Sequence, residues 1–409
     1  MIIVGIDWAR SKHDLVLMQE DGQVVQRLQV THDAAGMQRV AAALAEHEPE
    51  PRNVRVAIEM HDGAILAWLL EQGYSVYGIN PKSAQRARDR YRPAGGKDDA
   101  SDAFILADML RTDRGSLRAF RPDSDATLEL RSLVELRASR VHERTALFHR
   151  LRARLDEWCP DLSGLCDDFN RIWQRRLLER FPLQQDLHHV HGRTIHTFAR
   201  QHRLGADTAA RIKAARQATP MPIPEAMAIS LRLDIEHLLA QIEPLMQAIA
   251  ELDERIEQKL DEHPDAQVFQ SLPVKGTNTI ATLMAGFGEN RDHSPGHRQL
   301  AAAWGVAPLT IQSGKHHSVR RRHAADQTLS QSLMHFAFNT AFTAGCWAGD
   351  FYQRKRAEGK AHYTALRCLA QRWLKILHRV WKDRVPYDEQ HHQNNQPQQD
   401  RPNIATSSA

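Results

Sequence analysis

A chain of 409 residues, 42% of them hydrophobic and 25% charged, is long enough for two or three separate cores and too apolar to be disordered. No apolar run reaches about 18 residues, which argues against a transmembrane helix. The first residues enter a strand pattern directly rather than a signal segment, so residence in the cytoplasm is expected. Net charge is a modest +4, and the four cysteines (Cys159, Cys166, Cys346, Cys368) form no CxxC pair, so free thiols are expected rather than disulfides or a cysteine metal site.

In chain order, β-branched content and turn-rich boundaries predict strands at 2–7, 13–19, 23–30, 54–59 and 75–79, with Asp21-Gly22 as a hairpin signal. Helices are predicted at 33–47, 62–72, 82–91 and 101–112. Three strands, then helix, strand, helix, strand and helix, is the order of an RNase H-like domain, although propensity alone leaves other α/β sheets open. A charge-rich helix follows at 125–157. Residues 158–223, broken by prolines, read as a helical insert. Over 225–262, Ile235, Leu238, Ile242, Leu245, Ile249, Leu252 and Ile256 alternate spacings of three and four, a heptad seam that predicts coiled-coil packing. The seam can pair with 125–157 or with a second copy of the chain, and self-association through 225–262 is the expectation carried forward. Pro244 inside the seam predicts a kink or break. From 264 a third, α-rich unit is expected, with helices at 297–304, 326–345 and 361–382. Leu272-Pro273-Val274-Lys275-Gly276-Thr277 reads as a tight turn feeding a helix, of the kind that can present N–H groups to a phosphate. The tail from Pro386, rich in Gln, Asn, His and Pro, is expected to be disordered. The domain boundaries implied are 1–122, 123–263, 264–385 and 386–409.

Four carboxylates carry the chemical signal. Asp7 ends the apolar run from Met1, Glu59 ends Val54–Ile58, and Asp99 and Asp102 sit three apart at a helix start. Each alone is an ordinary solvated strand end or helix cap. Together, acids at two strand tips and on one helix face suit a pair of divalent cations and phosphodiester chemistry. Gly5 and Ala57, on the same faces as Asp7 and Glu59, are small and read as leaving room for metal and phosphate. Asp14, Asp62, Asp98 and Asp108 are the confounders. The histidines His188, His189, His191 and His196 fit no standard zinc spacing.

A second constellation is Gln312-Ser313-Gly314-Lys315, where a sterically open serine is followed by four Lys or Arg within nine residues. Cations there would stabilise charge on a phosphate under attack. The stretch from Thr310 to Lys382 is strongly basic, the footprint of a nucleic-acid partner or of a solvated face.

Jointly and in order, Asp7, Glu59, the Lys97-x-Asp99-x-x-Asp102-Ala103 block, Leu272-Pro273-x-x-Gly276, Gly305-Val306-Ala307-Pro308 and Gln312-Ser313-Gly314-Lys315 resemble the DEDD transposases of insertion-sequence family 110, relatives of the Piv and MooV DNA invertases. The resemblance covers about 1–112 and 264–382, and departs from the family at Asp98 and at Val274-Lys275-Gly276. It implies an RNase H-like (RuvC-like) domain, coiled-coil helices and a C-terminal transposase domain. It further implies a site-specific DNA recombinase dependent on Mg²⁺, with Mn²⁺ as a substitute. Asp7, Glu59, Asp99 and Asp102 would bind metal, and Ser313 would form a covalent phosphoserine link to DNA. Lys315, Arg320, Arg321 and Arg322 are assigned to nucleic-acid phosphate from charge. The partners implied are element-end and target DNA, a structured bridge RNA, and further copies of the chain in a dimer or tetramer, within a prokaryotic cytoplasm at the nucleoid. A RuvC-like structure-specific nuclease and a catalytically decayed nucleic-acid-binding protein are the alternatives.

Overall fold

The computed structural model describes residues 1–59, 63–91, 99–274, 276–291, 294–313, 316–320, 322 and 325–390. The chain divides into two compact units, one of 1–124 with 290–294 and one of the remainder.

The first unit is a mixed sheet with helices on both faces. Its strands are β1 (Ile2–Trp8), β2 (Lys12–Gln19), β3 (Val24–Thr31), β4 (Val54–Ile58) and β5 (Ser75–Gly78), and its helices α1 (Ala34–His47), α2 (Ala64–Glu71), α3 (Pro81–Tyr91) and α4 (Asp99–Thr112). Sheet order is β3-β2-β1-β4-β5, antiparallel across β1, β2 and β3 and parallel across β1, β4 and β5. Alternation does the sorting. Ile2, Val4 and Ile6 join Val54, Val56 and Ile58 on one face, under Val40 and Leu44 of α1 and Ile65 and Leu69 of α2. Ile3 and Ala57 lie on the other, under Leu106, Ala107 and Leu110 of α4. β1 is therefore buried on both sides, which is why its sequence is an unbroken apolar run.

Gly5 decides how closely α4 approaches. A Cβ there would meet the Ala107 nitrogen at 2.6 Å and the Ala103 carbonyl oxygen closer still. The space beside Gly5, expected to serve metal and phosphate, is filled by the backbone of α4. Ala57 is likewise buried in the layer beneath α4.

In the second unit two long helices run antiparallel, α5 (Asp125–Trp158) and, after five short helices, α11 (Glu225–Glu262). The short ones are α6 (Pro160–Leu165), α7 (Ile172–Arg180), α8 (Gln184–His189), α9 (Gly192–Gln201) and α10 (Ala206–Gln217). The ion pairs Glu129–Lys259, Arg137–Asp253 and Arg154–Asp234 set the antiparallel register. Ile235, Leu238, Ile242, Ile249, Leu252 and Ile256 are all buried within the one chain. At one end they pack with Leu147, Leu151 and Leu155 of α5 and the short helices, at the other with Leu130, Val134 and the C-terminal core. The seam thus lies inside the protein, and self-association through it is corrected to pairing with α5. α11 also passes Pro244 without a break. Pro244 and Ala240, whose carbonyl loses its helical donor, are both on the exposed face, where water can satisfy that oxygen.

The C-terminal part of this unit comprises α12 (Ala266–Gln270), α13 (Thr277–Phe287), α14 (His297–Ala303), β6 (Leu309–Ser313), β7 (His316–Arg320), α15 (Gln327–Ala341), α16 (Trp347–Ala357) and α17 (His362–Asp383). Trp373 and Trp381 are fully buried at its centre, and their indole N–H groups donate to Thr340 Oγ1 at 2.9 Å and the Gly288 carbonyl at 2.7 Å. The tail begins ordered: Trp347 donates to the Tyr387 hydroxyl at 2.9 Å, and the Tyr387 amide donates to Ser271 Oγ at 2.7 Å. Disorder expected from Pro386 is corrected for 386–390, and 391–409 lie outside the described residues. Among the described residues no helix is long and apolar enough to cross a membrane.

Candidate active site

β1 and β4 are parallel neighbours with Ile6 level with Ile58, and Asp7 and Glu59 are the next residues along each chain. Ligands in α/β sheets gather at such carboxyl ends, where loops replace the ladder. Asp102 comes in from above, one residue before Ala103, which touches β1 at Gly5. The close contact at Gly5 therefore fixes the height at which α4 delivers its acid.

Between these acids stands Arg88 of α3. Its Nη2 donates to Glu59 Oε1 at 2.8 Å and its Nε lies 3.0 Å from Asp102 Oδ1. The side chains of Arg88, Glu59 and Asp102 are 29%, 26% and 15% exposed, so the ion pairs are substantially shielded from solvent. Burial works against the charge of Arg88, but Glu59, Asp102 and Asp7 outweigh it and hold its pKa above the ordinary arginine value. Three of the four predicted acids thus act on one guanidinium. Asp99 opens α4, and its carboxylate lies outside the described residues. Among the described residues no three His, Cys, Asp or Glu side chains close on one point as metal ligands. The acids are spread around Arg88 instead.

The confounding acids separate from this group. Asp14 is level with Asp7 across β1 and β2, but it accepts from the Gln29 amide of β3 at 3.1 and 3.3 Å. Asp108 is held by Arg111 at 2.6 and 2.8 Å. Asp62 and Asp98 lie outside the described residues.

Ser313 belongs to the second unit, at the end of β6 and level with His316 of β7. Leu309–Ser313 and His316–Arg320 thus pair as a two-stranded antiparallel ribbon. Arg320, exposed, ends β7, and Arg322 is half-buried just beyond. The Ser313 side chain, Lys315 and Arg321 lie outside the described residues. At the turn before α13, Gly276 caps the helix and the adjoining cleft is lined by Glu257 and Asp261. Those acids repel phosphate, and Lys275 of the same turn lies outside the described residues. His188 of the histidine cluster bonds the Arg216 carbonyl at 3.0 Å.

Arg88 is the residue the sequence did not reveal. In the sequence it is one of four arginines, with Arg86, Arg90 and Arg92, in or just after the helix predicted at 82–91. The available signal was a cationic helix immediately before a block of acids.

Comparison with known proteins finds two family matches and several relatives along the chain. Residues 4–160 match the DEDD transposase family of IS110, described as a transposase, and residues 266–353 match the family described as transposase IS116/IS110/IS902. The chain is 28% identical over 407 residues to a mini-circle protein of Streptomyces coelicolor assigned as the transposase of IS117, covering 95% of this chain and 96% of that one. It is 28% identical to the uncharacterized 44.8 kDa protein of insertion element IS116 from Streptomyces clavuligerus, over 94% and 95% of the two chains. Against the 42 kDa protein of IS900 from Mycobacterium paratuberculosis identity is 26%, over 94% and 96%.

Proposed function

The chain belongs to the DEDD transposases of the IS110 family, enzymes that cleave and rejoin DNA, and on that premise we propose that it is a divalent-metal-dependent, serine-using recombinase of an insertion sequence. The observation that carries the reading is the convergence of Asp7, Glu59 and Asp102 on Arg88. A site that gathers three carboxylates around one positive charge is built for cations. Sheet order β3-β2-β1-β4-β5, with acids at the ends of its two central parallel strands, supports an RNase H-like assignment for the first unit.

The donors are hard oxygens of the kind Mg²⁺ and Mn²⁺ take, so the residues fit such an ion. Asp7, Glu59 and Asp102, with Asp99, would hold it, and when bound it would stabilise charge on a DNA phosphate. In the serine step Ser313 Oγ bonds to phosphorus, one phosphodiester P–O bond breaks, and the serine proton ends on the departing DNA oxygen. Attack by a DNA hydroxyl on the phosphoserine then rejoins the strand and returns the proton to Ser313. One phosphodiester replaces another, so no energy-rich cofactor is required. Arg320, level with Leu309 at the far end of the ribbon from Ser313, and Arg322, together with Lys315 and Arg321 of the same basic segment, would supply positive charge to a DNA backbone running along the ribbon.

The family resemblance supports a structured guide RNA as the partner that selects the DNA site, and a dimer or tetramer as the working form. Because the 235–256 seam is already filled by α5, that assembly uses another surface.

The test is a trapping assay with the full chain, its co-purified RNA, Mg²⁺ and labelled element-end DNA on a denaturing gel. A protein–DNA adduct lost in both Ser313→Ala and Asp102→Ala is the expected result. Strand cleavage that persists in Ser313→Ala without an adduct would replace the serine step with hydrolysis by the acids alone. Salt-dependent binding with neither cleavage nor adduct would indicate a protein that has kept only its fold.

A further inference from the structure

Away from the acids and the serine, the second unit carries an exposed group of aromatic rings. Phe338 of α15 and Phe342 just after it stand 5.0 Å apart, and Phe342 is 5.6 Å from Tyr352 of α16. Tyr352 is 5.8 Å from His362, which is 5.0 Å from Tyr363 at the start of α17. Tyr352 is buried and its hydroxyl bonds His362 Nδ1 at 2.7 Å, giving the group a fixed floor. The rings above it are open to solvent: Phe338 is 42%, Phe342 58% and Tyr363 70% exposed. Contiguous exposed aromatic surface of this kind marks a binding surface, because apolar area left in water goes unrewarded.

Charge identifies what binds. Between Phe351 and Arg367 there are five Lys or Arg and one acid, Glu358, which Lys355 engages at 2.7 Å and Lys360 at 3.7 Å, so the cations outnumber the charge they share. Arg356 donates to the Lys360 carbonyl at 2.7 Å, which holds a guanidinium on the turn leading into His362 and Tyr363. A second copy docking here by two-fold symmetry would set this basic turn against itself. A lipid surface would need an apolar helical face, and that of α17 is spent on the core through Leu366, Leu369 and Trp373. Ring faces beside fixed cations match a polyanion whose bases are unpaired, since a duplex hides its base faces. Cleaving and rejoining strands exposes such DNA.

We propose that Phe338, Phe342 and Tyr363, with Arg356 and Lys360, form a stacking platform for single-stranded DNA. The platform is separate from the cutting residues and does not depend on which of them act.

The test is fluorescence anisotropy of the full chain in EDTA with a labelled mixed-sequence 15-nucleotide DNA strand, its duplex, and the RNA of the same sequence. Phe342→Ala/Tyr363→Ala is expected to weaken single-strand binding about tenfold, leaving duplex binding within about twofold. The single variant Tyr363→Ala, at the most exposed ring, is expected to show a partial loss, and thermal unfolding checks that both remain folded. In the wild type, 5-iodouracil DNA should photocrosslink within the 338–363 peptide. Equal loss on strand and duplex, no loss, or no crosslink would overturn the platform. Loss confined to RNA would overturn the choice of DNA, and a change in mass by light scattering would assign the surface to a second copy. With metal chelated, none of these outcomes depends on the acids or Ser313, so failure here and failure of the recombinase reading are distinct.

Discussion

Gly5 and Arg88 show how single residues set the acid site. At Gly5 both clashing atoms belong to backbone, so neither can swing aside as a flexible side chain would. Gly5→Ala is expected to lift α4 and destabilise the first unit by about 3 kcal/mol, read from the urea midpoint. Arg88 holds by its charge the position that a divalent cation would share. Arg88→Gln removes that competing charge and is expected to tighten Mn²⁺ binding about tenfold by calorimetry, with no DNA present. Unchanged affinity would mean that the guanidinium does not face the cation. Asp7 and Glu59 were legible in the sequence because an acid ending an apolar run is a local pattern. Arg88 was not, since which arginine of a basic helix turns inward depends on acids presented by other elements. Gly5 was legible as a small residue on the right face, but its use was misread: whether a gap holds a ligand or a helix backbone is decided by tertiary approach.

Elements were legible to within a residue or two where one physical rule governs them. The strand pattern at 2–7 became Ile2–Trp8 and the heptad stretch became Glu225–Glu262. What the seam packs against was not legible, because a heptad gives the same signal for a partner in the same chain or in another. With Ile242 fully buried between α11 and α5, Ile242→Asp places an unpaired charge in that core. It is expected to cost about 4 kcal/mol or more and to melt helix by circular dichroism. A clean change of oligomeric mass with helix content intact would argue for an intermolecular seam instead. The β6–β7 ribbon was missed for a related reason: Ser313-Gly314-Lys315 reads as a loop, and the strands flanking it are only five residues each.

The whole molecule has two units with separate cores, and the acids and the serine are divided between them. Denaturation is therefore expected in two steps rather than one. Gly5→Ala should move the step of the first unit alone, and Ile242→Asp that of the second. Tryptophan fluorescence separates them, since Trp8 and Trp68 belong to the first unit and the other six to the second. A single transition shifted by both substitutions would show that the cores unfold together.

On α4, the acid at 102 and the contact at 103 are adjacent residues with unlike duties. Two kinds of loss-of-function allele are therefore expected one codon apart. On the metal-binding role proposed for Asp102, a change there is expected to silence transposition at every temperature and leave the protein abundant. A bulky change at Ala103, like one at Gly5, gives a conditional phenotype, rescued by growth in the cold. A genetic screen at two temperatures would separate the residues proposed to act on DNA from those that set the height of α4.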